Sequence, residues 1–253
     1  MPDSLTRFSS RAEAYAKYRP GYPPGLIEIL KTECGLTPSS AVADIGSGTG
    51  ILTELLLKNG NRVFAVEPNE AMRAFAENSL KQYKQFVSVD GSAEATSLPK
   101  DSVDIVIAAQ AFHWFDREKT KREFRRVLKP NGWAVLVWNE RRLNSTPFLR
   151  AYENLLLRYG TDYQEVRQEN VASELAEFFA PDEFKLMELD NFQHFDLTAF
   201  LGRVESASYT PEPGHPNFEA MRLELKRSFE EHNRDGTVAF EYDTKIYFGH
   251  LGK

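Results

Sequence analysis

Cysteine is almost absent from this chain of 253 residues, which contains only Cys34. A single thiol cannot form an internal disulfide, and it cannot supply the ligands of a cysteine-based metal cluster. The five histidines do not replace it, because they are scattered without the spacing of metal ligands. We therefore predict that the protein holds no metal.

Long apolar runs are also missing. The N-terminus, MPDSLTRFSS, lacks the apolar segment of a signal peptide. The longest apolar stretch, around residues 103–112, is about half as long as a bilayer requires. These absences predict a soluble, cytoplasmic protein with no membrane partner.

Blocks of like charge are a third absence. The net charge is -6, but acidic and basic residues are interspersed, and no basic stripe is present to hold a phosphate backbone. We therefore predict no nucleic-acid partner. The chain is 42% apolar and 27% charged, which is enough to bury a full core and predicts one elaborated domain or at most two.

What the sequence does contain is an alternation of short apolar runs with helical patterns. The first such unit is a strand at 42–45, a glycine-rich turn, and a helix from Ile51 that stops at Asn59-Gly60. Asn69 can cap the next helix, and Asp116 opens another that we expect to end at residues 130–132. The remaining strands of this half are predicted at 62–66, 86–89, 103–109 and 133–138.

The pattern changes after Asn139. We expect helices at 147–158 and 171–179, a strand at 184–192, and mainly helices up to His232. The segment 238–248 alternates apolar and polar residues, which predicts a closing strand, antiparallel and at the edge of the sheet. The proline-rich stretch 209–216 is interpreted as either a lid or a hinge. Overall the order predicts an α/β fold with a parallel sheet and ligands at the carboxyl ends of its strands.

The turn after the first strand, AVADIGSGTG, admits three interpretations. A plain turn would use glycine only for its positive φ, but it does not need three glycines beside an acid. A dinucleotide fingerprint requires G-x-G-x-x-G, and its third position here falls on Ile51. Asp44 and Glu54 also place negative charge where a diphosphate would lie.

The third interpretation is a cationic nucleoside without phosphate. Glu67 ends the second strand, where a carboxylate can accept hydrogen bonds from both hydroxyls of a ribose. Asp44 would then face an ammonium group. This interpretation fits the spacing best.

On these residues the sequence resembles the class I S-adenosylmethionine-dependent methyltransferases, in particular the small-molecule enzymes of the type 11 domain that include a trans-aconitate methyltransferase group. The resemblance covers most of residues 10–140, including the run AQAFHWF at 109–115. It implies a Rossmann-like, mostly parallel seven-stranded sheet with an antiparallel C-terminal strand, helices on both faces, and helical additions forming a substrate lid. It also implies one methyltransferase domain over 1–253, with cap helices in 1–35, a cofactor-binding core in 36–140 and a substrate-side half in 141–253.

The resemblance implies S-adenosyl-L-methionine as cofactor and S-adenosyl-L-homocysteine as product. The loop would wrap the methionine part, Glu67 would hold the ribose, and Pro68 would pack against the adenine. Ser92 stands where these enzymes usually have an aspartate for the adenine amino group, so the backbone of Ala93 is the firmer contact. Gln110, after the fourth strand, would line the methionine moiety. The cofactor residues implied are Arg19, Asp44, Gly46, Ser47, Gly48, Gly50, Glu67, Pro68, Ser92, Ala93 and Gln110.

The N-terminal stretch YAKYRPGYP at 15–23 resembles the helix that closes over the cofactor in these relatives. Arg19 could pair with the methionine carboxylate, and Tyr15 or Tyr18 could cover the sulfonium. The alternative for the tyrosines is simple packing on the sheet. Tyr18 and Tyr22 are also candidates for substrate contact.

The acceptor is expected to be a small molecule, methylated on oxygen by in-line displacement. A carboxylate acceptor needs no base, whereas a phenol would benefit from one, for which His113 is the candidate. The alternative for His113 is a pocket residue that only shapes the site. Phe112 and Trp114 are predicted to form walls, with one of them in the core. Arg141 and Arg142 could bind an acidic acceptor, unless they are merely solvated.

Two other functions remain open at this point. One is an NAD(P)-dependent oxidoreductase, and the other is a regulatory protein that binds the nucleoside without catalysis. Nucleic-acid methylation fits badly, because the run after the fourth strand is AQAF rather than Asn/Asp-Pro-Pro-aromatic, and Cys34 precedes the glycine loop. The sequence does not predict the oligomeric state.

Overall fold

The structure is a computed structural model that describes residues 18–161, 163, 171–207 and 209–252. Within this part of the chain, seven strands form one sheet in the order β3-β2-β1-β4-β5-β7-β6. The strands are β1 Ala41–Ile45, β2 Arg62–Val66, β3 Phe86–Val89, β4 Val103–Ala109, β5 Leu128–Arg141, β6 Phe184–Phe195 and β7 Val238–Gly249.

Eight α-helices accompany these strands in the described residues. They are α1 Gly25–Cys34, α2 Ile51–Lys58, α3 Glu70–Leu80, α4 Arg117–Val127, α5 Pro147–Tyr159, α6 Val171–Phe179, α7 Leu197–Glu205 and α8 Phe218–His232. The predicted caps are confirmed, since the side chain of Asn69 accepts a hydrogen bond from the Met72 N–H and that of Asp116 from the Lys119 N–H. No helix of the described chain is long and apolar enough to cross a membrane.

The sheet lies at the centre of the core, because side chains on both of its faces are buried. Neighbouring residues of one strand enter different clusters, as Val42 and Ala43 do, because side chains alternate between the faces. A third cluster lies among α5, α7, α8 and the first half of β7, built on large aromatic side chains such as Phe200 and Phe240. The parallel strands β1 to β5 therefore end at one rim, beside a helical layer from the C-terminal half.

Two strand predictions are wrong in detail. The fifth strand begins at Leu128 and runs through the Pro130-Asn131-Gly132 turn signal, with a register shift against β4, so the preceding helix ends at Val127. The closing strand β7 is antiparallel as predicted but does not form the edge, because it pairs with β5 on one side and β6 on the other. Alternation reveals that a face is buried; it does not reveal how many neighbours a strand has.

Candidate functional site

The glycine loop turns the chain sharply from β1 into α2. The N–H groups of Gly46 and Ser47 both donate to the carbonyl of Val66, at 2.9 and 3.2 Å, which ties the loop to the end of β2. Gly46, Gly48 and Gly50 have φ values of 68°, 56° and 85°. Each lies in the left-handed region that favours glycine, so the turn requires all three.

Space around the loop distinguishes the three glycines. A Cβ on Gly46 would lie 2.7 Å from the Cβ of Ala111, and one on Gly50 would lie 2.7 Å from Cδ1 of Leu80. Among the described residues, a Cβ on Gly48 would meet only the sulfur of Met72, at 3.8 Å. The protein's own packing therefore excludes side chains at the outer two positions, whereas Gly48 borders open space that a ligand can use.

Glu67 lies against the open side of this loop. Its Oε2 accepts a hydrogen bond from the Gly48 N–H at 2.9 Å, and its Oε1 accepts one from the Asn69 N–H at 2.8 Å. Burial raises the pKa of Glu67 above its ordinary value, although both N–H groups and Arg73 oppose that shift. Because a carboxylate oxygen has two acceptor sites, each oxygen retains one for a ligand. The side chain is thus held in one orientation with spare acceptor capacity.

Asp44 lies beneath the loop rather than at its surface. It is 1% exposed, and its Oδ2 accepts a hydrogen bond from the hydroxyl of Thr53 at 2.6 Å. Burial raises the pKa of Asp44 to about 7, and the charge of Glu67 adds to that shift while the Thr53 hydrogen bond opposes it. Its predicted contact with an ammonium group stays a prediction.

The predicted adenine contacts lie at the ends of β2 and β3. Pro68 is exposed and Ala93 is buried, while the Ser92 N–H donates to the carbonyl of Ala95 at 3.1 Å. The main-chain donor of Ser92 is therefore already used within the turn. This arrangement agrees with assigning the contact to the backbone of Ala93, which stays a prediction.

Gln110 is the first residue after β4. It has a positive φ of 56°, and its side-chain amide donates to the carbonyl of Asn139 at 3.1 Å. Such strain in a residue other than glycine is typical of functional sites. The side chain is therefore held toward the end of β5.

Asn139 is a residue whose linking role sequence reasoning missed. Its Oδ1 accepts hydrogen bonds from the hydroxyl of Thr244 at 2.5 Å and from Asn191 at 3.1 Å, and its Nδ2 donates to the carbonyl of Gly21 at 3.2 Å. It joins the N-terminal segment to the rim of the sheet. The available signal was an amide side chain at the end of an otherwise apolar strand.

In the AQAFHWF run, one of the two aromatic residues Phe112 and Trp114 lies in the core, as predicted. A single 3-10 turn, Phe112–Trp114, places Phe112 in the core against Trp138 and Phe178, and leaves His113 and Trp114 exposed. Surrounding protein and the charge of Arg19 lower the pKa of His113 to about 4. His113 is therefore neutral at pH 7.

The N-terminal segment reaches the site through Arg19, whose charge acts on His113. The main-chain carbonyl of Arg19 accepts a hydrogen bond from the side-chain amide of Gln193 at 3.2 Å. Tyr18 packs against Gly202 of α7, and Tyr22 packs against the core cluster that contains α1. The predicted contacts of Tyr18 and Tyr22 with cofactor or substrate stay predictions. Tyr15 lies outside the described residues.

Arg141 and Arg142 do not act as a pair, because successive residues of a strand point to opposite faces. Arg142 binds Asp243 and Asp190 at the surface. The side chain of Arg141 is only 10% exposed and binds Glu153 Oε2 at 2.5 Å, so the solvated alternative is wrong for it. Only Arg141 remains a candidate for the acceptor.

The described residues also form a surface groove away from the glycine loop. A surface groove of about 350 Å³, lined by charged side chains of α4 and α6 such as Lys121 and Glu174, includes no residue of the glycine loop. No group of three or more His, Cys, Asp or Glu side chains in the described residues could hold a metal ion.

Comparison with known proteins bears directly on this geometry. The family model for a methyltransferase domain, type 11, matches residues 43–136. An uncharacterized methyltransferase of Schizosaccharomyces pombe is 38% identical over 154 residues, covering 59% of this chain and 58% of that protein. An uncharacterized methyltransferase of Bacillus licheniformis is 31% identical over 151 residues, covering 57% of this chain and 70% of that protein.

A solved structure of a methyltransferase is also similar to this chain. The structure of a candidate type II methyltransferase from Anaeromyxobacter dehalogenans superposes with a TM-score of 0.69 and 26% identity, covering 92% of this chain and 98% of that one. The match to the S. pombe protein spans little more than half of that protein's length.

The sheet, with its glycine loop after β1 and an acid at the end of β2, defines a Rossmann-like α/β protein. With the matches above, the chain belongs to the class I S-adenosylmethionine-dependent methyltransferases and carries a type 11 methyltransferase domain. This membership disfavours the oxidoreductase alternative.

Proposed function

We propose that this protein transfers a methyl group from S-adenosylmethionine to an oxygen atom of a small molecule, a carboxylate or a hydroxyl, by in-line displacement. The observation that carries the proposal is the pairing of Glu67 with Gly48. A fixed carboxylate with spare acceptor sites lies beside Gly48, the loop glycine that borders open space among the described residues. A ribose with two neighbouring hydroxyls fits that carboxylate.

The residues of the loop fit a cationic nucleoside better than a diphosphate. Asp44 and Glu67 are acidic and buried beneath or beside the loop, and a diphosphate would have to approach both of them. In our proposal the main chain of 46–50 lies against the methionine part, with Gln110 beyond it, and Pro68 and Ala93 border the adenine. The bound sulfonium supplies an electrophilic methyl group. The protein's part is to orient the donor and the acceptor, which can contribute about 7–11 kcal/mol.

Calorimetry tests the cofactor directly. We expect S-adenosylmethionine and S-adenosylhomocysteine to bind to the purified protein, and NADPH to give no heat. Binding of NADPH alone would contradict the proposal. If the nucleoside binds but no acceptor from a metabolite extract gains a radiolabelled methyl group, the non-catalytic alternative is the correct one.

Asp44 predicts a pH dependence of cofactor binding. Its pKa is raised to about 7 in the free protein, so the carboxyl is largely protonated below that pH. A bound ammonium group favours the ionised form, so binding releases a proton near pH 7 and strengthens as the pH rises. We expect about fivefold tighter binding at pH 7 than at pH 6, a range in which the ligand's own ammonium group stays protonated.

The measurement is calorimetry in two buffers of different ionisation enthalpy, which counts the released proton. Asp44→Asn is the matched control, because the amide has a similar shape and does not titrate in this range. The same pH dependence in both proteins would show that Asp44 does not face the ammonium group.

The electrostatics of His113 bear on the choice of acceptor. A histidine whose pKa is lowered to about 4 is a weak base for a hydroxyl group, whose own pKa is about 10 even in a phenol. A carboxylate is already ionised at neutral pH and needs no base. Between the two acceptors, this favours the carboxylate.

We therefore expect His113→Gln to retain kcat within about threefold, because the amide keeps a neutral polar group at the same place. A catalytic base would instead account for about 10²–10⁴ in rate. Steady-state rates from pH 6 to 9 make this comparison, with Trp114→Phe as control for the shape of the wall. A loss of 100-fold or more in His113→Gln alone would restore the base role.

A further inference from the structure

Three amide side chains of the sheet bind the main chain of the N-terminal segment 18–24. They are Asn139 on β5, and Asn191 and Gln193 on β6. The carbonyl of Gly21 accepts hydrogen bonds from Asn191 Nδ2 at 2.8 Å and from Asn139 Nδ2 at 3.2 Å. The carbonyl of Arg19 accepts one from Gln193 Nε2 at 3.2 Å. Side chains from the other half of the protein therefore fix two positions of this segment.

Two of these amides are themselves oriented by hydroxyl groups of β7. Gln193 Oε1 accepts a hydrogen bond from the hydroxyl of Tyr242 at 3.0 Å. Asn139 Oδ1 accepts one from the hydroxyl of Thr244 at 2.5 Å and another from Asn191 at 3.1 Å. An amide carries one oxygen and one NH₂ group, so binding the oxygen on one side turns the donors to the other. The donors of both amides are thus directed at the segment before any ligand binds.

Helix α7 holds the start of the same segment. A Cβ on Gly202 would lie 2.5 Å from Cζ of Tyr18, so the tyrosine ring occupies the space that a side chain at this position would need. Tyr18 also packs against the aromatic cluster of α5, α7 and α8. Glycine is less favourable than alanine inside a helix, so Gly202 serves this close approach rather than the helix itself. The segment is therefore held by β6 through its carbonyls and by α7 through a ring.

The fixed main chain determines where the side chain of Arg19 can reach. Burial lowers the pKa of His113, and the charge of Arg19 lowers it further, so the guanidinium lies within electrostatic reach of the turn after β4. The main-chain carbonyl of Asn139 also accepts the hydrogen bond from the side chain of Gln110. Asn139 therefore contacts both a predicted cofactor residue and the segment that carries Arg19.

We propose that the three amide side chains are positioning residues for Arg19. By binding the carbonyls of the segment, they aim its guanidinium at the carboxylate of the cofactor's methionine part. A guanidinium binds a carboxylate best in one planar geometry, and a main chain that is fixed beforehand reduces the freedom lost on binding. This inference rests on the proposed function, since it takes S-adenosylmethionine as the ligand of Arg19.

The position of Arg19 is tested first without any ligand. The variant Asn191→Val/Gln193→Met removes the amide donors of β6. We expect the pKa of His113 to rise from about 4 toward 6.5, by about 1, because the charge of Arg19 moves away. Proton NMR titration of the full chain measures this pKa, with the signal assigned by its absence in His113→Gln. The other histidines are internal references, and their pKa values should not change.

Glu188→Val/His194→Met is the matched control. It introduces the same two side chains at exposed positions of β6, on the face opposite to the two amides. The pKa of His113 should be the same in this variant as in the wild type. Arg19→Gln is the reference for loss of the charge with all three amides intact, and it should raise the pKa of His113 as far as the amide variant does.

Combining the variants separates positioning from a general loss of structure. If the amides act through Arg19, adding Asn191→Val/Gln193→Met to Arg19→Gln should not change the pKa of His113 further. The proposal is overturned if the amide variant alone leaves this pKa at its wild-type value, or if it still raises the pKa when Arg19 is already replaced. Should the paired variant fail to fold, Gln193→Met alone replaces it, with a rise in the same direction expected.

Calorimetry with S-adenosylmethionine measures the consequence for the cofactor. We expect about 10-fold weaker binding in the amide variant and in Arg19→Gln, with no further loss when they are combined. Glu188→Val/His194→Met should bind as the wild type does. Unchanged affinity in the amide variant overturns the positioning role. A wild type that gives the expected titrations but binds no S-adenosylmethionine overturns the proposed function alone, because the titrations are made without ligand.

Discussion

Glu67→Ala is expected to weaken S-adenosylmethionine binding by about 1–3 kcal/mol, or about 5- to 150-fold in Kd. The side chain is 7% exposed and is held by the N–H groups of Gly48 and Asn69, so its remaining acceptor sites face the loop in a fixed geometry. Removing it leaves two ribose hydroxyls without acceptors. Calorimetric titration of the variant and the wild type measures the difference.

The control for this variant is Glu70→Ala, which removes an exposed carboxylate from the first turn of α3. It changes the net charge equally but leaves the loop intact, so its Kd should stay within twofold of the wild type. Affinity that is unchanged in Glu67→Ala would show that the ribose lies elsewhere. Thermal unfolding of each variant reports separately the loss of the two loop hydrogen bonds.

Gly48→Ala is expected to remove detectable cofactor binding at concentrations that saturate the wild type. The added methyl group projects into the open space beside the loop, because its nearest neighbour would be the Met72 sulfur at 3.8 Å. The cost to folding is only the left-handed backbone, about 1–2 kcal/mol. Binding should therefore be lost from a protein that remains folded.

Two further glycine variants make this result interpretable. Gly35→Ala imposes the same strain, with a φ of 65° and nothing within 4 Å, at the end of α1, and should bind the cofactor normally. Gly46→Ala places its methyl group 2.7 Å from Ala111 and should lose stability first. Normal binding in Gly48→Ala would mean that no ligand lies against this part of the loop.

Much of the cofactor half could be predicted from the sequence because its signals are local. The cap at Asn69, the helix stop at Asn59-Gly60 and the strand-turn-helix around the glycines depend on residues within one turn of each other. The end of α4 was predicted wrongly because Pro130-Asn131-Gly132 is a turn signal in isolation. In the fold it is a bulge within β5, held by pairing with β4.

The acceptor half could not be predicted to the same depth. Gln193 carries no motif, and its hydrogen bond to the carbonyl of Arg19 joins residues 174 positions apart. Tyr152 and Arg141 come from other parts of the chain and meet only in the folded protein. No spacing in the sequence separates Arg141 in the core from Arg142 at the surface until the register of β5 against β7 is known.

The sequence by itself determined the class of protein, since a glycine-rich turn with an acid before it and another at the end of the next strand is a short-range pattern. Backbone conformation and strand alternation are set by neighbouring residues, so both can be inferred without a fold. Only the tertiary structure decided three things: which loop glycine borders open space among the described residues, that β7 lies inside the sheet, and that Arg141 binds Glu153 whereas Arg142 binds Asp190 and Asp243. Each depends on contacts between residues far apart in the chain, where burial sets the strength of charge and hydrogen bonding.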